Sequence, residues 1–170
     1  MTRQHSTQPD PKLDLVLERT IDVPPALVWQ AWTQPEHIKH WLTPAPWQTV
    51  RCDVDLRPGG RFRFVMRSPE GEEHTHDCCY LEIVEGSRLV WTNALLPGFR
   101  PAGGGGDVPA FTAVIRIEPE PHDQGTRYTA TAMHGTQAGC RQHSDMGFHD
   151  GWGAALDQLV AHARNMQQAS

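Results

Sequence analysis

The sequence predicts an α+β protein, an antiparallel sheet covered on one face by a long C-terminal helix. Three observations point to it. Between Thr49 and His134, six segments of period two follow one another, mostly through tight turns, which is the pattern of antiparallel pairing. Phe148, Trp152, Leu156, Leu159, Ala163 and Met166 then repeat at helical intervals to the end of the chain. Between a first strand and the later ones stand two short segments, each opened by proline, the residue best suited to a helix's first turn.

Residues 1–12 are rich in Thr, Gln, Ser and Pro and read as a disordered tail, leaving 13–168 as a single domain. Leu13 to Val23 alternates and forms the first strand. Pro25 to Thr33 is a short helix, with Leu27, Val28, Ala31 and Trp32 at helical spacing. Pro35 opens a second, capped by Thr33 or Gln34, with Ile38, Trp41 and Leu42 on one side; Pro44 and Pro46 stop it. Thr49 to Leu56 is a strand ending at the turn Arg57-Pro58-Gly59-Gly60. Arg61 to Arg67 places Phe62, Phe64 and Met66 on one face, and the turn Ser68 to Gly71 leads into the partner strand, Glu73 to Val84. Arg88 to Leu95 follows, then a glycine-rich stretch from Pro97 to Pro109. That stretch lacks the Gly-Lys-Ser/Thr ending of a phosphate loop and reads as a mobile surface loop. Phe111 to Glu118 and Thr126 to His134 make a last hairpin. The long helix is expected from about Ser144, as N-cap, to Gln167. Gly147, Gly151 and Gly153 in its first turns cost about 1 kcal/mol each against alanine and read as sites of close backbone approach.

A chain of 170 residues with 38% hydrophobic and 21% charged side chains is long and apolar enough for one core. No apolar run reaches bilayer length, and the polar start carries no secretory segment, so a cytoplasmic protein is expected. A net charge of −5 with scattered basic residues argues against nucleic acid or a membrane surface as partner. Cys52, Cys78, Cys79 and Cys140 form no Cys-x-x-Cys and are expected as free thiols. No cofactor is expected.

The run Val28-Trp29-Gln30-Ala31-Trp32-Thr33-Gln34-Pro35-Glu36-His37, then Trp41, then Asp55-Leu56-Arg57-Pro58-Gly59-Gly60-Arg61-Phe62 resembles the activator-of-heat-shock-protein-90-ATPase homologue family of the START-like (SRPBCC) superfamily. Tyr80-Leu81-Glu82-Ile83, Arg88-Leu89-Val90-Trp91-Thr92, Gly125-Thr126-Arg127 and Gly151-Trp152 extend the resemblance over roughly Leu13 to Arg164. It implies a helix-grip fold, a seven-stranded antiparallel sheet wrapped around a long C-terminal helix, with a cavity that often binds apolar ligands. Members serve as binders, co-chaperone domains, cyclases and toxin-resistance proteins, so the fold alone implies no single activity.

One helix cannot fill a wide concave sheet, and a small hydrophobic molecule in the remaining gap is the first functional reading. Strand alternation turns Phe64, Met66, Tyr80, Trp91, Phe111 and Tyr128 toward the helix, and Trp152 faces them. Trp41 matches the family position near the cavity entrance. Tyr80, Asn93 and His134 are the groups expected to orient a ligand's polar atoms. A second reading is a cyclase or hydrolase on an aromatic substrate, with His134 as general base. A third is a chaperone-regulatory interaction module, set last because the chain lacks the extra N-terminal domain of eukaryotic co-chaperones. An edge strand beside the glycine-rich loop is compatible with a homodimer. His74, His76 and Cys78 share one strand face, with His134, His143 or His149 as a fourth zinc ligand. Their spacing of about 6.5 to 7 Å is too wide for direct chelation, so no metal is expected. Asp145, His149 and Asp150 read as one cluster at the start of the long helix.

Overall fold

Prolines set the route of the chain after its first strand. In the computed structural model, which describes residues 8–103, 106–122 and 124–169, β1 (Asp14–Ile21) leads to α1 (Pro25–Thr33), with Pro25 in its first turn. Pro35 restricts Gln34 to extended backbone (φ −106°, ψ 121°) and so separates α1 from α2 (Pro35–Ile38). The strands β2 (Gln48–Val54), β3 (Arg61–Arg67), β4 (Glu73–Val84) and β5 (Arg88–Thr92) follow. A small hairpin of β6 (Leu95–Leu96) and β7 (Arg100–Pro101) precedes β8 (Phe111–Pro119) and β9 (Thr126–His134). Two helices, α3 (Gln137–Asp145) and α4 (Phe148–Gln168), end the chain.

Seven strands form one antiparallel sheet in the order β1-β9-β8-β5-β4-β3-β2. Strands β1 and β2 are consecutive in sequence yet occupy opposite edges, so the segment carrying α1 and α2 crosses from one edge to the other. The inner face reads across the register as Leu15, Ala132, Ala113, Trp91 and Tyr80. The alanines, with Ala130, leave room over β8 and β9, and α4 turns Leu156, Leu159 and Ala163 into the core. Each such leucine contributes roughly 1.5–3 kcal/mol by leaving water.

Two of the family-like glycines have a steric reason. A Cβ on Gly60 would stand 2.0 Å from the carbonyl oxygen of Asp55, and one on Gly125 would stand 2.4 Å from that of Ile21. Backbone passes too close there for any side chain.

The structure bears on three expectations. The tail expected over 1–12 lies, for residues 1–7, outside the described residues, as do 104 and 105 of the glycine-rich loop. Asp10 closes a turn, its carbonyl accepting from Leu13 and Asp14. The strand expected to reach Leu95 stops at Thr92, because the Thr92 hydroxyl donates to the Phe111 carbonyl and also accepts from the amide of Ala94, and Leu95 instead starts the β6–β7 hairpin, whose second strand lies inside the stretch read as loop. The third is the terminal helix. Ser144 does not cap it but lies in the last turn of α3, whose own cap is Thr136, accepting from Gly139 at 3.0 Å. Gly147, at φ 91°, breaks the two helices apart. Asp145 and His149 therefore sit on different helices. Of the three glycines, only Gly153 has a close neighbour, the Arg19 guanidinium; nothing lies within 4 Å of a Cβ at Gly151.

Candidate functional site

Between the concave face of the sheet, α3 and α4, and the segment after α2 lies a cavity of about 310 Å³. Cavities of about 150 Å³ with apolar walls stay dry and accept benzene, so this one has room for a two-ring molecule. β3 contributes Phe64 and Met66, β4 His76 and Cys78, β5 Trp91, and the residues just beyond it Asn93. Phe111 and Tyr128 come from β8 and β9, and Trp41, Leu42 and Pro44 from the crossing segment. Helix α4 supplies Phe148, Gly151, Trp152, Ala155 and Leu156.

Aromatic rings build most of the wall. Trp91 and Trp152 lie nearly parallel (12°) with centroids 6.4 Å apart, and Phe111 meets both edge-on at 5.5 and 6.1 Å. Trp32 and Trp41 meet edge to face at 4.7 Å, each with its indole N–H engaged: Trp32 donates to the Tyr128 hydroxyl (3.1 Å) and Trp41 to the Ala31 carbonyl (2.9 Å). Burial raises the Tyr128 pKa, against the opposing effect of that hydrogen bond, and keeps the phenol neutral.

The polar groups fall out differently from the strand-alternation reading. Asn93 reaches the cavity, but its Oδ1 accepts from the amide of Phe111 (2.8 Å) and its Nδ2 donates to the Pro109 carbonyl (3.2 Å), so it holds backbone in place. Tyr80 is fully buried yet lies outside the cavity wall, stacked on Phe62 at 5.4 Å. Its hydroxyl has no partner among the described residues. His134 is also one step back. Its Nδ1 donates to the Leu13 carbonyl (2.8 Å), and its Nε2 lies 2.8 Å from Nδ1 of His143, which is the histidine on the wall. Burial first, then the neighbouring His134, lowers the His143 pKa to about 4. Trp91 is 4% exposed and its Nε1–H makes no hydrogen bond among the described residues.

His143 is the residue that the sequence reading placed only as a spare zinc ligand. Two signals were available: Thr136 as a helix cap, and Cys140 and His143 as the only apolar-facing pair of a polar nine-residue helix. His76 stacks on Phe64 (4.8 Å, 16°), while His74 packs on Trp47 (5.5 Å) outside the cavity. Among the described residues no group of three His, Cys, Asp or Glu side chains could hold a metal ion. All four cysteines are free thiols, and burial pushes Cys52 and Cys78 up to about 12. No helix among the described residues is long and apolar enough to cross a membrane.

Residues 22–164 match the family model described as Activator of Hsp90 ATPase homolog 1-like protein. Among solved structures, a crystal structure of a protein from Nitrosomonas europaea is 44% identical, covers 94% of this chain and 99% of its own, and superposes with a TM-score of 0.87. A Mycobacterium smegmatis protein is 26% identical over 88% of this chain and 90% of its own, with a TM-score of 0.72. A solution structure from Arthrobacter aurescens, at 19% identity over 93% and 90%, shares the fold with a TM-score of 0.77. No curated protein matches the chain.

Proposed function

The chain belongs to the Activator of Hsp90 ATPase homolog 1-like family, of the START-like superfamily, and from that premise we propose that it binds a small, largely apolar molecule in the cavity between sheet and C-terminal helix. The observation that carries this reading is the aromatic-walled space of about 310 Å³ in a fold whose other apolar side chains pack together. Trp91, Trp152, Phe64, Met66 and Phe111 supply the contact area. Trp41 and Tyr128 close one side, each held by a hydrogen bond to or from a neighbour.

Four of the six tryptophans line the cavity, so the protein's own fluorescence reports on its occupancy. Titration with naphthalene and with its neutral isomer azulene should give a saturable change with one site per chain. Absence of saturable binding by either probe to the native protein would remove the reading.

A further inference from the structure

We propose that the cavity selects neutral ring compounds bearing a hydroxyl group, such as phenols or enols, whose proton is donated to Nε2 of His143. This deepens, and rests on, the reading of the cavity as a small-molecule site. A carbonyl oxygen can only accept, so Nδ1 of His134, 2.8 Å from Leu13 O, carries a hydrogen. In the neutral ring Nε2 of His134 is then bare, and its 2.8 Å contact with Nδ1 of His143 requires the hydrogen to sit on His143. The remaining nitrogen of His143, Nε2, is left with an exposed lone pair.

That nitrogen belongs to a wall residue only 6% exposed, and it makes no hydrogen bond among the described residues. Phe111 at 4.8 Å and Phe148 at 5.4 Å hold the ring, so the acceptor is fixed in place before any ligand arrives. Burial and the adjacent His134 keep His143 unprotonated at neutral pH. His76, also on the wall, makes no hydrogen bond among the described residues that would select its tautomer. Among the described residues the wall holds no Lys, Arg, Asp or Glu. An ionised ligand would lie there without a counter-charge, at a large desolvation cost, so the hydroxyl partner is a neutral one.

The test compares 2-naphthol with 2-methoxynaphthalene, which share a skeleton but differ in having a proton to donate. Affinities of both are measured on the full chain by tryptophan fluorescence, for the wild type, His143→Phe, and the double variant His134→Phe/His143→Phe. The double variant removes the His134–His143 pair together, and the Leu13 carbonyl keeps the backbone amide of residue 134 as its partner. The preference for 2-naphthol in the wild type should fall by roughly two- to tenfold in either variant, the range for one neutral hydrogen bond. In nitrogen-15 NMR spectra of the free wild type both rings should be Nδ1–H tautomers, and 2-naphthol should move the His143 Nε2 resonance. Equal preference in wild type and variants, or a hydrogen found on Nε2 of His143, would overturn the assignment while leaving the cavity as a binding site. If neither naphthalene binds the native protein, the binding reading itself falls, and this inference with it.

Discussion

Ala155→Phe tests whether the space under α4 is where a guest goes. Ala155 is 7% exposed and lines the cavity, so a side chain grown from it enters the void. A phenyl ring occupies roughly the 150 Å³ of a benzene-sized cavity, about half of the 310 Å³ present. At about 24 cal/mol per Å³, filling that volume stabilises by at most about 3.6 kcal/mol. Adjustment of Trp152 and Leu156 around the new ring takes back roughly 1–3 kcal/mol. A net gain of at most about 0.6–2.6 kcal/mol remains, and for a chain of this length each kcal/mol raises Tm by about 2–4 °C. Naphthalene should lose at least tenfold in affinity while phenol still binds, as read by tryptophan fluorescence alongside a thermal melt. A variant that melts no lower than wild type and binds naphthalene with unchanged affinity would show that apolar molecules bind elsewhere.

Three further outcomes follow from the same structure. His143 ionises near 6.5 when unfolded and about 4 when folded, and burial lowers His76 and His162 as well. Unfolded chains therefore bind more protons in this window: stability is full above about pH 6.5 and lost as pH falls toward 4, with His143 accounting for at most about 3 kcal/mol and solvent screening reducing that. Urea midpoints between pH 7 and 4 should slope less steeply for His143→Phe than for wild type, and parallel slopes would refute the assignment. Gly60→Ala places a methyl group 2.0 Å from the Asp55 carbonyl oxygen and should cost about 3 kcal/mol or more in urea unfolding; a loss under 1 kcal/mol would mean the turn yields freely. Gly151→Ala meets nothing within 4 Å and replaces a helical glycine, so it should gain roughly 0.5–1 kcal/mol, and a lowered Tm would contradict the open space there.

Much of the fold was legible because it is local. Alternation over Arg61–Arg67, turn residues at Pro58-Gly59 and Pro69-Glu70-Gly71, and prolines at 25 and 35 specify strands, hairpins and helix starts through contacts a few residues apart. The same alternation placed Phe64, Met66, Trp91 and Phe111 on the side that meets α4. It could not say that Tyr80 would stack on Phe62 away from the wall, since both share that face and only packing decides which rings reach the cavity.

By itself the amino-acid order determined an α+β helix-grip chain with an aromatic inner face, since side-chain period and turn chemistry act over short separations. Tertiary structure alone decided which polar atoms that face presents. His134 lies 121 residues from the Leu13 carbonyl that sets its tautomer, and His143, carried by α3, meets His134 and lines the wall. The bare acceptor in the cavity is a product of those two distant contacts, and no spacing along the chain encodes it.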